Sequence, residues 1–512
     1  MSVIEVQEVT KRFGDFTAID QITLDFAEGE IHAICGENGA GKSTFMNMLF
    51  GLLQPTEGQI LLHGKPVDFH SPKEAIHSGI GMVHQHFKLV PSLTVFENVL
   101  LGEEMTQSLK IDRQREKESV QATIDNFGFD LDAGDKIEAI SVGAQQRAEI
   151  IKMLHRNVDI LILDEPTAVL TPQETDELLD KLIELKNLGK TIIIITHKLD
   201  EVKKCADRVT VIRRGKKIGT VYNQDVTEKD ISRMMVGRDV SLDFDKKPCT
   251  CGDLVLQLNN VTATSKLGKK VLEGIDLEVK QGEIVGIAGI EGNGQAELME
   301  LFSGTRKLTD GEMIYKGKKI NCCDPAALRK MGFGLVPEDR YRDALNATMS
   351  IWENMIAGRH KDYCKLCFFD DKVIRQVTKE LIEEYDIRNC DNIDALVSTL
   401  SGGNAQKIIM AREISCNPDI MIMSQPTRGV DIGSIEFIHQ RIIQLRDEGK
   451  AVIVISSELT EIMNLSDRIY VMHKGKIVGE RETSQTNKED IGLLMAGINH
   501  QANREVAFSY GT

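Results

Sequence analysis

A glycine-rich run near the start of the chain reads Gly36-Glu37-Asn38-Gly39-Ala40-Gly41-Lys42-Ser43, with Thr44 directly after it. The run fits the P-loop pattern at every specified position, and it lies between an aliphatic run that predicts a buried strand and a stretch that predicts a helix. In such a loop, backbone N–H groups surround a phosphate, the lysine reaches the β- and γ-phosphate oxygens, and the serine hydroxyl binds Mg²⁺. Residues 36–44 are therefore predicted to bind a nucleoside triphosphate, with Lys42 also acting in catalysis and Ser43 as a metal ligand.

Acidic and imidazole groups follow two other aliphatic runs. Asp164 and Glu165 come directly after residues 160–163, and His197 follows residues 191–195. Continuous aliphatic runs predict parallel strands buried on both faces, and the groups at their carboxyl ends meet at one edge of the sheet. There Asp164 would hold Mg²⁺, Glu165 would polarise the attacking water, and His197 would donate a hydrogen bond to the γ-phosphate.

Phe13 is a candidate for stacking on the adenine ring. The sequence places it in a polar loop ahead of the predicted core strands. A lone aromatic residue is more typical of a hydrophobic core, but a flat ring near a phosphate site also offers a surface for a base.

The chain contains an internal repeat. Residues 36–41 recur as residues 289–294, and Glu165-Pro166-Thr167 recurs as Gln425-Pro426-Thr427, so the offsets are 289 − 36 = 253 and 425 − 165 = 260. The repeat predicts two homologous domains, 1–240 and 254–498, with a linker over 241–253 and a tail over 499–512. Alternating strand and helix patterns predict an α/β fold in each half, with a mostly parallel sheet core and an inserted helical region near 95–140.

The composition argues against several classes of protein. The 512 residues carry a formal net charge of -16, which disfavours a nucleic-acid-wrapping protein because phosphate contacts need a basic surface. The 10 cysteines are too sparse for a disulfide framework. No aliphatic run approaches the ~20 residues of a membrane span, and the first residues do not form a signal peptide. We expect a cytosolic chain that meets a membrane only through a partner.

With these motifs the chain resembles the ATP-binding subunit of an ABC transporter over nearly its whole length, twice. Residues Leu400-Ser401-Gly402-Gly403-Asn404 are similar to the family's signature, which contacts the γ-phosphate of ATP bound to the opposing domain. Gln85 matches the glutamine loop, and Asp431 matches the aspartate of a loop after the second acid strand. The resemblance implies two tandem P-loop NTPase (ABC ATPase) domains with ATP and Mg²⁺ as cofactors. It also implies that residues 401–404, Gln85 and Asp431 contact the nucleotide and that Gln85 joins Ser43 and Asp164 at the metal.

The tandem arrangement resembles the ATPases of bacterial monosaccharide and nucleoside importers, and the residues around 84–87 and 93–98 resemble the nucleoside branch. The resemblance implies an ATP hydrolase on the cytoplasmic side of the bacterial membrane. Its partners would be two transmembrane permease subunits and, through them, an extracytoplasmic solute-binding protein, with no nucleic acid. Residues 86–88 and 339–342 are candidates for the permease contact. A ribose- or galactose-type importer ATPase, and a soluble ABC protein acting on the ribosome or DNA, remain as alternatives.

The two halves have lost complementary groups. Lys42, Ser43, Asp164, Glu165, His197 and Gln85 are replaced in the second half by Gln295, Ala296, Ser424, Gln425, Ser457 and Glu338. Conversely, the signature is degraded in the first half, at residues 140–144, and Thr171 replaces Asp431. The losses predict an internal head-to-tail pseudo-dimer with one hydrolytic site, between the P-loop of the first half and the signature of the second. The other site is expected to bind Mg-nucleotide weakly or not at all.

Overall fold

The structure is a computed structural model that describes residues 2–498 except 38, 85–86, 105, 108–109, 168–169, 171, 239–245, 266, 291, 321–323, 366–367 and 389. The chain divides into two compact units, Met1–Val240 (unit 1) and Ser241–Thr512 (unit 2). In the described part of the chain, no helix combines the length and apolar character needed to cross a membrane.

Unit 1 alternates strands and helices. Its strands are β1 (Ser2–Phe13), β2 (Phe16–Ala27), β3 (Ile31–Cys35), β4 (Glu57–Leu62), β5 (Lys65–Val67), β6 (Ile80–Val83), β7 (Thr106–Gln107), β8 (Lys110–Ile111), β9 (Ile160–Asp164), β10 (Thr191–Ile195), β11 (Arg208–Arg213) and β12 (Lys216–Tyr222). Its helices are α1 (Lys42–Leu49), α2 (Pro72–His77), α3 (Val95–Leu100), α4 (Arg113–Asn126), α5 (Val142–His155), α6 (Pro172–Asn187), α7 (Leu199–Cys205) and α8 (Glu228–Val236).

The main sheet of unit 1 has the strand order β12-β11-β3-β10-β9-β6. Its strands are parallel except for β12, which is antiparallel to β11. Every residue of β3 and β10 is buried, as the continuous aliphatic runs predict. Because β3, β10 and β9 are neighbours and parallel, the P-loop, His197 and the acid pair all emerge at the same sheet edge.

The helical region of unit 1 lies where the sequence predicts it, with α3 and α4 between residues 95 and 126. It also contains a short hairpin, β7 with β8, which the sequence did not predict. Strands of two residues are too short to produce an alternating pattern, so periodicity carries no signal for them.

Unit 2 repeats the same succession of elements. Its strands are β13 (Leu254–Thr264), β14 (Lys270–Lys280), β15 (Ile284–Ala288), β16 (Asp310–Tyr315), β17 (Lys318–Ile320), β18 (Phe333–Val336), β19 (Cys364–Lys365), β20 (Phe368–Phe369), β21 (Ile420–Ser424), β22 (Ala451–Ser456), β23 (Arg468–His473) and β24 (Lys476–Glu482). Its helices are α9 (Gln295–Phe302), α10 (Pro325–Met331), α11 (Ile351–Ile356), α12 (Asp371–Glu384), α13 (Gly402–Ile414), α14 (Ile432–Asp447), α15 (Leu459–Leu465) and α16 (Lys488–Met495).

The main sheet of unit 2 has the order β18-β21-β22-β15-β23-β24, which is the order of unit 1 read from the opposite edge. An antiparallel sheet accompanies each main sheet, β2-β1-β4-β5 in unit 1 and β14-β13-β16-β17 in unit 2. The predicted α/β fold with two tandem copies is therefore confirmed. Lys246, in the described part of the predicted linker, forms an ion pair within unit 2. Its Nζ lies 2.9 Å from Asp467 Oδ1.

Candidate active site

The loop between β3 and α1 has a shape that requires glycine. A Cβ added to Gly36 would lie 2.2 Å from the carbonyl oxygen of Ile212, and Gly41 has a φ of 100°, a conformation that L side chains rarely adopt. The ammonium group of Lys42 donates to the carbonyl oxygens of Gly36 at 2.7 Å and Glu37 at 3.0 Å. The lysine is thus folded back onto the loop that is predicted to hold phosphate.

Lys42 is the principal positive charge at this loop. Burial lowers the pKa of Lys42, and the carboxylates of Glu165 and Asp164 act in the opposite direction. A partly desolvated cation has few competing water contacts and interacts strongly with an incoming anion. The arrangement suits the predicted role of binding and neutralising phosphate oxygens.

Asp164 and Ser43 form the oxygen pair expected to hold the metal. Asp164 ends β9 and accepts a hydrogen bond from the Ser43 side chain. Burial raises the pKa of Asp164, and the neighbouring charge of Glu165 raises it further. A carboxylate and a hydroxyl in a site with excess negative charge fit Mg²⁺, which prefers oxygen ligands and would relieve the repulsion. The third predicted ligand, Gln85, lies outside the described residues, as does Asn38 of the loop.

Glu165 and His197 form a hydrogen-bonded pair. His197 Nδ1 lies 2.9 Å from Glu165 Oε1. Burial raises the pKa of Glu165, but the hydrogen bond and charge of His197, with the charges of Lys42 and Lys198, outweigh it and leave the pKa lowered. Glu165 is therefore ionised at neutral pH, as a residue that polarises an attacking water must be.

The backbone holds Glu165 in an unusual conformation. Its φ is 46°, in the left-handed region, and its N–H donates to the carbonyl oxygen of Ile195 at 2.9 Å. This bond fixes the residue to the end of β10, the strand that His197 follows. The turn that ends β9 therefore brings the carboxylate to the imidazole.

The loop position predicted for Phe13 is wrong, because Phe13 is the last residue of β1. It pairs with Phe16, the first residue of β2, and the relative exposures of the two are 49% and 66%. Strand β2 passes beside the P-loop, since a Cβ added to Gly41 would lie 2.7 Å from the carbonyl oxygen of Ala18. The hairpin tip carries two exposed rings, and β2, which begins with one of them, runs past the P-loop. The sequence analysis did not identify Phe16 as a candidate for stacking. Its only signal in the sequence is its position three residues after Phe13.

Unit 2 keeps the form of this site without its charges. Gln295 replaces Lys42 and donates from Nε2 to the carbonyl oxygen of Ile290 at 3.0 Å, while its buried Oε1 has no hydrogen-bond partner. Gln425 has a φ of 47° and donates from its backbone N–H to Ile455. Its Nε2 lies 3.1 Å from Oγ of Ser457. The replacements are neutral, so nothing at these positions can compensate phosphate charge.

The signature residues of unit 2 lie against the aspartate loop. Ser401 caps α13 and Asp431 caps α14. A Cβ added to Gly403 would lie 2.7 Å from Asp431 Oδ2 and 2.4 Å from Ser434 Oγ, so the two helix starts meet at a glycine. Asn404 donates from Nδ2 to Oγ of Ser401 at 3.2 Å. The structure therefore brings residues 401–404 together with Asp431 within unit 2.

The equivalent segment of unit 1 differs. Ser141 still caps α5, but Val142 replaces the first glycine and is 40% exposed. Gly143 lies against Glu174, because a Cβ added there would be 2.4 Å from Oε1 of that residue. Thr171, predicted as the replacement of the aspartate, lies outside the described residues. In unit 1 the serine of the signature is therefore followed by an exposed apolar side chain, where unit 2 has Gly402.

Two regions of the chain, residues 19–168 and 272–428, match the sequence model of the family described as ABC transporter. They cover more than half of the chain and contain the P-loop of unit 1 and the signature of unit 2. The chain belongs to the ABC transporter family. As a member of the ABC transporter family it is an ATP-binding ATPase.

Relatives of this ABC transporter ATPase align with it over nearly their whole length. The nucleoside import ATP-binding protein NupA of Lactococcus lactis subsp. cremoris is 48% identical over 500 residues, covering 97% of this chain and 99% of the relative. The guanosine import ATP-binding protein NupO of Bacillus subtilis is 46% identical over 497 residues, covering 97% of each. Among solved structures, an archaeal ribosome recycling factor in complex with a ribosomal stalk protein has a TM-score of 0.61, at 18% identity over 93% of this chain and 90% of that chain. At that identity the likeness concerns the fold alone.

Proposed function

We propose that this chain is the ATP-hydrolysing subunit of an ABC importer for nucleosides, with one competent ATP site. The observation that carries the proposal is the set of groups at the sheet edge of unit 1. There Lys42, the Ser43–Asp164 pair and the Glu165–His197 pair supply a phosphate cation, oxygen ligands and an ionised carboxylate. The similarity to two import proteins named for nucleosides supports the cargo.

The single site follows from the unequal chemistry of the two units. Phosphoryl transfer depends mainly on positioning and on neutralising charge at the transferred group. Unit 1 has the cation and carboxylates but an altered signature, and unit 2 has the signature but Gln295, Ser424 and Gln425 in place of the charged groups. We therefore assign hydrolysis to the P-loop face of unit 1, completed by residues 401–404 and Asp431 of unit 2.

In this mechanism the phosphates replace the carbonyl oxygens of Gly36 and Glu37 as partners of Lys42. Glu165 accepts a hydrogen bond from the attacking water and aligns it, and His197 fixes the orientation of that carboxylate through their shared hydrogen bond. Ser43 and Asp164 would hold Mg²⁺, which when bound neutralises charge on the β- and γ-phosphate oxygens. Phe13 and Phe16 would provide the stacking surface for adenine.

The partners follow from the import role. We propose two transmembrane permease subunits, a solute-binding protein outside the membrane and a peripheral position on its cytoplasmic side. Residues 86–88 and 339–342, which follow Gln85 and its counterpart Glu338, are the proposed permease contacts. The proposed domains are residues 1–240 and 254–498, joined by a linker over 241–253, with a tail over 499–512.

The test is solute-dependent ATPase activity of the complex reconstituted with its permease subunits in membranes. Nucleosides presented with the binding protein are expected to stimulate hydrolysis, whereas ribose and galactose are not. Stimulation by a sugar alone would reassign the importer to monosaccharides.

Cell fractionation tests whether the chain is a transporter subunit or a soluble ABC protein. We expect the chain in the membrane fraction only when the permease subunits are co-expressed. Recovery on ribosomes in either condition would replace the importer by a soluble ABC protein.

A further inference from the structure

Arg340 of unit 2 is a cation enclosed by the signature and by the loop before α14. It begins a π-helical turn, Arg340–Ala344. Its Nε donates to Oε1 of Gln406, on the buried side of α13, at 2.8 Å. A Cβ added to Gly402 would lie 2.8 Å from its Nη1, and a Cβ added to Gly429 would lie 3.8 Å from its Nη2. The guanidinium therefore occupies space that the missing side chain of Gly402 leaves open, and it lies beside Gly429.

The surroundings of Arg340 do not favour a charge. Burial is the largest influence and lowers the pKa of Arg340. Tyr341 acts in the opposite direction, the charge of Arg428 lowers the pKa further, and Asp339 opposes it least. Placing a desolvated cation near a second cation is unfavourable for folding. Stability alone therefore does not explain why the arginine is held there.

The two glycine positions differ between the two halves of the chain. The offset of 260 places Val142 at the position of Gly402 and Val169 at that of Gly429. A valine at position 402 would enter the space of the guanidinium, because even a Cβ there would lie 2.8 Å from Nη1 of Arg340. The segment between β6 and α3, residues 84–94, is three residues shorter than residues 337–350 between β18 and α11, and its sequence contains no arginine. The arginine and its two glycines thus accompany the intact signature of the second half.

A second bond ties the same turn to α13. Arg412 donates from Nη1 to the carbonyl oxygen of Ala344 at 2.9 Å. The turn is closed by the N–H of Leu345, which donates to the carbonyl oxygen of Arg340 at 2.6 Å, and Leu345 is buried in the core of unit 2. Just before the turn, Glu338 forms an ion pair with Arg428 of the loop that leads to Asp431. The segment 338–345 is therefore connected both to the signature helix and to the aspartate loop.

We propose that Arg340 is a positioning residue for the signature of unit 2. Through its hydrogen bond to Gln406 and its contact with Gly402, it sets the start of α13 relative to the loop that carries Asp431. In this role Arg340 affects kcat only by positioning the signature, and it does not contact the nucleotide. The proposal rests on the proposed function, since the signature affects turnover only if it completes the ATP site of unit 1.

The test compares variants of the full-length chain in steady-state ATPase assays and in binding of a fluorescent ATP analogue with Mg²⁺. Arg340→Gln is expected to lower kcat roughly tenfold to 100-fold, because misplacing a group that completes a site has effects of this size. Affinity for the analogue is expected to stay unchanged, because the P-loop is untouched. Arg340→Lys is expected to recover part of kcat, since lysine keeps the charge but lacks the planar fork that makes both contacts.

Arg375→Gln is the matched control, because Arg375 pairs with Asp394 at 2.9 Å at the surface of the same unit. It is expected to keep the wild-type kcat. A wild-type kcat for Arg340→Gln, an equal loss in the control, or a loss of nucleotide affinity in place of kcat would each overturn the proposal.

Two further variants keep the result interpretable. If Arg340→Gln melts below the assay temperature, Gln406→Met takes its place, because it removes the hydrogen-bond acceptor of Arg340 at similar volume. Gln406→Met is expected to lower kcat in the same way, and a wild-type kcat for it would overturn the proposal.

Glu165→Gln is assayed beside these variants. An active Glu165→Gln would refute the single-site function, whereas an inactive Glu165→Gln with a fully active Arg340→Gln would refute only the role of Arg340.

Discussion

The Nδ1 atom of His197 lies 2.9 Å from Oε1 of Glu165, and the equivalent side chains of unit 2, Ser457 and Gln425, are joined by a hydrogen bond of 3.1 Å. The two pairs occupy the same place in sheets of the same strand order. One pair contains an ionised carboxylate and an imidazole, and the other is neutral throughout. Because the two units share this architecture, we expect any difference in their ATPase activity to arise from these side chains.

Glu165→Gln should abolish ATP turnover. The amide has no charge with which to polarise water, and losses of roughly 10²–10⁴-fold are usual for such a group. Gln425→Ala, at the equivalent position of unit 2, is the control and should leave most of kcat intact. Phosphate release by the full-length chain measures both. Equal losses in the two variants would contradict the single-site assignment.

His197→Ala should lower kcat and move its pH dependence. The pKa of Glu165 is held below its ordinary value of 4.5 by the imidazole, against burial, which raises it. Without His197 the effect of burial remains, so the pKa of Glu165 rises and the ionised form is lost at a higher pH. The acid limb of the kcat profile should therefore shift to higher pH in the variant. An unshifted limb would show that the hydrogen bond does not tune this carboxylate.

Asp164→Asn should stabilise the nucleotide-free chain while removing its activity. The pKa of Asp164 is raised by burial and by Glu165, so the folded state binds its proton more tightly than the unfolded state does. The ionised side chain therefore disfavours folding at pH values above 3.8, its ordinary pKa, and a neutral amide removes that effect. Differential scanning calorimetry in EDTA should give a higher melting temperature for the variant at pH 7. A lower melting temperature would mean that the carboxylate is already compensated within the protein.

Equilibrium dialysis with MgATP should give one tightly bound nucleotide per chain. Gln295 cannot replace a cation facing phosphates, and its Nε2 already donates to Ile290. Lys42→Ala should remove the bound nucleotide, and Gln295→Ala should not change the stoichiometry. Two tightly bound nucleotides in the wild-type chain would contradict the assignment.

Phe13→Ala should raise KM for ATP with little change in kcat. Base–aromatic stacking contributes about 1–3 kcal/mol, which corresponds to a roughly fivefold or larger change in affinity. Phe16→Ala tests whether the second ring of the hairpin tip shares this role. Leu188→Ala, an exposed apolar residue beyond the end of α6, is a control for nonspecific surface effects. If neither phenylalanine changes KM, the adenine lies elsewhere.

The parts of the site that the sequence predicts are those in which spacing alone sets geometry. The P-loop follows β3, the acid pair lies at the end of β9, and His197 follows β10, and neighbouring parallel strands bring these groups to one edge. The repeat predicts the two-unit fold for the same reason. Local pattern was a weaker guide to Phe13, because its hairpin strand has a mixed burial pattern and ends in exposed residues.

The contact of Arg340 with Gly402 could not be predicted in this way. The two residues are 402 − 340 = 62 positions apart and belong to different elements. Only the packing of the turn 340–344 against α13 brings them together. The sequence does contain one related signal, because both glycines are replaced by valine in the first half, but its meaning depends on knowing how the turn packs against α13.

Gln425 retains a left-handed backbone although it has no carboxylate to present. The φ values of 46° at Glu165 and 47° at Gln425 are nearly the same, and both N–H groups donate to the end of the neighbouring strand. Such a conformation is often attributed to the needs of an active centre. Here Gln425, which has no carboxylate, bears the same torsional cost, so the strain belongs to the way the chain leaves the sheet. The carboxylate of Glu165 therefore lies on a bend that the architecture itself requires.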